Sequence, residues 1–362
     1  MRTSALSCWT GALLTASLVP AAPQPGPDRD ALEFYVEIVA LYRHGDVKGA
    51  LDSLGERPPA QLREAVDDLA RYVQARREPP LSLPAAVLLH TDRALRDREQ
   101  GARDAESFQL GLARKLVDLL EDVPGSDDFR RRWHLAVGNA WKQGEDWGLA
   151  RELLDAGLQS FPNDAGLLVA RAAIEETVAA FTETREEPVR PIRSNLARAV
   201  QGRLRQTADA RQHRLAALDL LRRALAAAPD DERARLRLGR VLLELRQSNE
   251  GLATLEPLRE AGHDPRFAYL ALLIYGGGLE RSGRLTAAIE SYQAAVKLEP
   301  RAQTARLALA HALEQAGAPE AGAALGDALA VTTQHPDFED PWATYHFERS
   351  NLLDPLRNEV RR

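Results

Sequence analysis

Apolar side chains recur along this chain at three- and four-residue steps, the spacing that gathers them on one face of a helix. The pattern is clearest between Arg266 and Pro300, where two helical stretches meet at a turn around Ser282-Gly283-Arg284. Tyr275, Leu279, Ile289, Tyr292 and Val296 supply an apolar seam between them. Gly276 on the first helix and Ala288 and Ala295 on the second sit where the two must touch. A side chain larger than a methyl there would push the axes beyond the roughly 8–10 Å of close helix packing. Pro300 ends the second helix, because its ring cannot continue the backbone ladder.

The same arrangement returns elsewhere. It appears at 133–162 through Val137, Gly138, Trp141, Ala150, Leu154, Gly157 and Pro162. A turn residue is lost before Gly144 and one gained after it, which predicts a distorted turn. At 232–263 the pattern is carried by Leu238, Gly239, Leu242, Leu255 and Leu258, with Gly251 in place of alanine. At 304–335 it is carried by Leu309, Ala310, Leu313, Gly317, Gly322 and Leu329. Gly322 and Gly326 weaken the last helix, each by up to about 1 kcal/mol relative to alanine. The 266–300 segment resembles a tetratricopeptide repeat, a helix-turn-helix unit of roughly 34 residues. Tyr275, Gly276, Leu279, Gly283, Ala288, Tyr292, Ala295 and Pro300 all fall on signature positions of that family. The resemblance implies an all-α, right-handed α-solenoid of tetratricopeptide-like helix-turn-helix repeats, stacked so that each contacts its neighbours.

In chain order, residues 1–21 read as an export signal. Arg2 is the only charge before Asp28, an apolar run spans Thr10 to Val19, and a small-residue cleavage site suits a cut after Ala21. The run is too short for a permanent anchor. The expected location is periplasmic or secreted; the alternative is a cytoplasmic protein with a frayed apolar leader. Residues 22–29 form a proline-rich linker, and 30–125 a divergent helical segment that opens like a repeat. Helices are predicted there over 31–43, 61–77, 85–97 and 107–120. Residues 126–335 hold the repeats. The small first-helix residue falls at Gly138, Ala172, about 205, Gly239, Gly276 and Ala310, a spacing that favours a degenerate unit near 182–216. An inserted excursion, or one long helix from Ser194 to Ala228, would fit the same segment. Residues 336–362, with Phe338, Trp342, Tyr345 and Phe347, suit a cap over the last apolar face.

Composition narrows the function. The net charge of −6 carries no basic domain, which argues against nucleic acid as a partner. Only four of 47 basic residues are lysine, as a GC-rich genome would encode. Cys8, the only cysteine, lies in the leader, so thiol catalysis and cysteine-held zinc are excluded from the mature chain. The eight histidines show no ligand spacing, and His90 reads as a packed core residue. No catalytic residue, metal or cofactor is expected. The arginines from Arg190 to Arg214 read as a solvated face beside Glu183, Glu186 and Glu187, or as a stripe for an acidic peptide.

The family resemblance implies a partner groove on the inner face of the first helices. The matching positions are Arg132, Leu135, Asn139 and Lys142; Arg233, Leu236, Arg240 and Leu243; Leu270, Leu273, Gly277 and Glu280; and Thr304, Leu307, His311 and Glu314. Asn139 matches an asparagine with which some members hold a peptide carboxylate, although their accompanying lysines are missing here. The expectation is a non-catalytic, exported scaffold for a protein or peptide partner, at most peripheral to a membrane. Two other readings fit the same sequence: an accessory or processing factor with a site in 56–125, and a homo-oligomer paired through the tail aromatics.

Overall fold

The computed structural model describes residues 83–118, 120–121, 123–184, 196–259, 264–347 and 351–360. The expected leader, linker and helices over 31–43 and 61–77 lie outside these residues. Fourteen α-helices make up the described chain: α1 (Leu83–Glu99), α2 (Arg103–Asp118), α3 (Asp127–Gln143), α4 (Trp147–Ser160), α5 (Ala165–Thr184), α6 (Leu196–Ala227) and α7 (Glu232–Glu244). After them come α8 (Ser248–Leu255), α9 (Pro265–Arg281), α10 (Leu285–Leu298), α11 (Gln303–Gln315), α12 (Ala321–Gln334), α13 (Pro341–Phe347) and α14 (Leu353–Val360). A 3₁₀ turn, Glu256–Arg259, extends α8.

The chain divides into two compact units, one running to Trp133 and including 352–362, the other from His134 to Asn351. In the first, α1 and α2 pack as the expected antiparallel pair. Their core holds Ala86, Val87, Leu112, Leu116 and Leu120. Fully buried His90 pairs with Gln109 across the seam at 2.7 Å, and Trp133 Nε1 donates to Thr91 at 3.0 Å. These bonds satisfy polar groups that burial would otherwise leave orphaned. Helix α14 is tied to α1 through Arg357 and Asp92, at 2.6 Å.

The second unit is the solenoid. Its pairs are the end of α3 with α4, then α5–α6, α7–α8, α9–α10 and α11–α12. Aspartates start several of the helices: Asp146, Asp164, Asp231 and Asp264 each accept a backbone N–H of the first turn, and Pro265 sits at the start of α9. The small-residue rule has a direct cause. A Cβ added to Gly138, Gly239 or Gly276 would lie 2.4–2.5 Å from Leu154, Leu255 or Tyr292 of the paired helix.

Two expectations about this unit are corrected. Residues 196–227 form one uninterrupted helix, so the separate degenerate unit that the even spacing favours is replaced by the long-helix alternative. The turn near Gly144 is not distorted. Glu145 takes φ 64°, the left-handed position held by Gly283 and Gly317 in other units and by Arg246 between α7 and α8. The Asp146 N–H bonds to the Trp141 carbonyl just as the Arg284 N–H bonds to that of Leu279.

The tail departs most from expectation. Residues 338–345 do not cap the last repeat. They lie against α5, α7, α9 and α11, the inner face of the solenoid, while Leu325 and Leu329 on α12 stay exposed.

Candidate functional site

The inner face of the second unit is built from first helices, and its centre is charged. Adjacent acids, Glu175 and Glu176, lie mid-way along the largely apolar α5 and are both buried. A helix turns about 100° per residue, so neighbours in sequence face different partners. Glu175 meets Arg171 and Arg151 and pairs with His213 of α6. Burial pushes its carboxyl up, but the bonds from His213 and Arg171 outweigh that and hold it below the ordinary value. Glu176 bonds Arg237 of α7 at 3.1 Å and accepts the Tyr345 hydroxyl at 3.2 Å.

Arg240, one turn along from Arg237, lies 3.9 Å from Glu176 and bonds Glu244 at 2.9 Å. Burial opposes the Arg240 cation, yet Tyr345, Glu244 and Glu176 hold its pKa above normal. Burial also pushes the Glu244 carboxyl up, and Arg240 and Arg214 outweigh it, so that it stays ionised to lower pH than usual. Arg214 in turn grips Glu183 with two 2.6 Å bonds and Glu244 at 2.9 Å. It is therefore an internal clamp, neither a solvated residue nor part of an open stripe. The side chains of the arginines from Arg190 to Arg205 lie outside the described residues.

A cavity of about 300 Å³ opens beside this network, lined by Arg240, Glu244, Leu273, Ile274, Gly277, Arg281, Tyr292, Thr304 and Trp342. Four residues expected in the groove, Arg240, Leu273, Gly277 and Thr304, thus share one wall-to-wall space. The others are distributed differently. Leu236 and Leu270 are buried in the core between helices. Leu307 and His311 remain exposed on α11, with His311 2.7 Å from Glu280. Arg233 is exposed beside its own cap residue, Asp231. Leu135 is half-buried, while Asn139 and Lys142 are buried, which places neither polar head on an open surface. Arg132 belongs to the first unit, where it pairs with Asp128 and Glu359.

Repeat register missed Glu176, Arg237, Asp340, Trp342 and Tyr345. Arg237 lies one residue off the groove spacing. The Glu175-Glu176 pair inside a largely apolar helix was the available signal, since two adjacent buried carboxylates require built partners.

Residues 210–273, from the second half of α6 into α9, match the tetratricopeptide repeat family model. That segment is tetratricopeptide-like, and the helix pairs of the second unit, with their glycine contacts, follow the same repeat layout. No curated protein matches it. Among solved structures, a mutant of MamA is 20% identical with a TM-score of 0.38, covering 57% of this chain and 99% of that one. MamA from Desulfovibrio magneticus RS-1 is 16% identical, TM-score 0.40, over 57% and 96%. YrrB, described as a tetratricopeptide protein with an unusual peptide-binding site, is 16% identical, TM-score 0.37, over 56% and 87%.

Proposed function

We propose that this protein is a non-catalytic scaffold whose inner solenoid face binds a protein segment, and that it works outside the cytoplasm. One observation carries the binding reading: the face already holds a peptide segment of the chain itself, on buried arginines and beside an open cavity. A surface that orders one short segment has the shape and donors to order another. The groove is pre-formed on rigid helices, so association requires little reorganisation of the scaffold. Export rests on the leader, with a mature chain that starts at Ala22. N-terminal sequencing of the native protein tests that part, and an intact Met1 rules it out.

The binding reading is tested by crosslinking and affinity recovery from the native envelope, comparing wild type with an Arg240→Ala variant and a Leu307→Asp, His311→Asp variant. The expected result is one dominant protein recovered by wild type and lost from both variants while their helical content holds. Equal recovery by all three moves binding off the inner face.

A further inference from the structure

Segment 337–347 sets Tyr345 into the apolar core of the unit and packs Phe338 and Trp342 against it, and polar and cation–aromatic contacts fix it there. Asp340 is its anchor: one carboxylate oxygen accepts the Tyr269 hydroxyl at 3.2 Å and the Trp342 amide at 2.9 Å. The other oxygen accepts the Thr304 backbone N–H at 2.9 Å. One turn further on, Trp342 and Tyr345 stack with ring centroids 5.7 Å apart and planes within 3°. The Arg240 guanidinium lies 5.4 and 5.1 Å from those two rings, and Arg237 lies 4.7 Å over Tyr345. Phe338 is covered by Arg301 at 4.4 Å. Cations over aromatic faces and charge-assisted bonds to one carboxylate make up much of this attachment. The repeats are joined differently, by glycine and alanine against leucine and tyrosine.

Helix α13 has only seven residues, far below the length at which a helix persists by itself in water, so its helical form depends on the groove. The segment also leaves unfilled the cavity that Trp342 walls. Of the acids in the segment, Asp340 is the one fixed on the face, by the Tyr269 hydroxyl and the Thr304 backbone N–H.

We propose that residues 337–347 are a resident occupant of the groove, and that the partner which displaces them is a protein segment of the same layout. That layout is an acidic residue followed by two aromatic residues three positions apart on one helical turn. The proposal rests on the inner face being the binding surface. A tethered segment competes at an effective concentration on the order of millimolar, so a free partner meets a groove that is open only part of the time.

The test uses a fluorescent synthetic peptide of residues 335–347 and the full chain, with anisotropy as the readout. A Trp342→Ala, Tyr345→Ala chain, its groove vacated, is expected to bind the peptide at least tenfold more tightly than wild type. Adding Arg240→Ala should remove that gain, and a peptide with both aromatics replaced by alanine should bind neither chain. Equal binding to wild type and vacated chain, or no binding to a folded vacated chain at 1 mM peptide, overturns the proposal. Should the vacated chain fail to fold, hydrogen exchange of wild type decides. Amides of 342–345 should exchange at least threefold faster with about 1 mM peptide, and unchanged rates overturn it. A wild-type mass that doubles with concentration and is halved by the peptide would assign the segment to a second copy, against an intramolecular occupant. If the peptide tests fail while the Leu307→Asp, His311→Asp chain still loses its native partner, self-occupancy falls and the groove reading stands.

Discussion

At Arg246 a long side chain occupies a backbone conformation, φ 65°, that glycine takes at the equivalent turns after α9 and α11. Crowding of Cβ against the carbonyl costs an L-residue roughly 1–2 kcal/mol there. Arg246 is exposed, so little is lost with its side chain. Arg246→Gly is therefore expected to raise stability by about 1 kcal/mol, less the extra chain entropy of glycine, read as a higher urea midpoint at unchanged slope. Gly239 works in the opposite direction. Alanine would improve the helix by up to about 1 kcal/mol. Its methyl, however, would sit 2.4 Å from the Leu255 Cγ, which is not the free end of the side chain. Overpacking of this kind costs about 1–3 kcal/mol, so Gly239→Ala should lower the midpoint; an unchanged or higher one would show that the helices slide apart without strain. Gly239 was legible as a repeat position; Arg246 was not, since no glycine marks its turn. What the chain does at Gly144-Glu145 was not, because the eye follows the glycine while the backbone puts the following residue in the left-handed position.

Among the elements, α5 carries the pH response. Glu175, and Glu244 on α7, have carboxyls below their ordinary 4.5 in the folded chain and return to it on unfolding. The unfolded state therefore takes up protons first as pH falls. Their contribution is complete above that value and is lost as pH drops through it toward the folded values. Thermal melting should hold between pH 7 and about 5.5 and then decline. Glu175→Gln should melt lower than wild type at pH 7, with the gap narrowing by pH 4; a constant gap would mean the carboxylate's charge contributes nothing. Helix α6 shows where element-level reading ran out. Even spacing of small residues favoured a separate degenerate unit near 182–216, but 196–227 holds no proline and a single glycine, Gly202. With no breaker, the backbone bonds simply continue. Helix α12 shows the reverse: a Cβ on Gly322 or Gly326 meets nothing within 4 Å, so neither glycine serves a close approach.

For the whole molecule, the repeat signature made the architecture readable, since Gly276 against Tyr292 and Gly239 against Leu255 are contacts that sequence spacing dictates. The groove was readable only as a face. Register located Arg240, Leu273, Gly277 and Thr304, but it could not say that Leu236 and Leu270 are spent on the core or that the tail aromatics lie inward. An aromatic cluster after the last repeat suits a cap and a groove equally; the carboxylate of Asp340 and the buried Glu176 decide between them, and both act through contacts 36 to 169 residues apart. The tail has one more property. It starts close to a fixed point, since α12 of the same unit ends at Gln334. Segment 337–347 is thus joined to that helix by a short loop. Letting go of the groove slackens that loop without setting it adrift, and closing a short loop again costs little entropy. Vacancy would come as brief, repeated gaps, each ended by recapture unless something else arrives first.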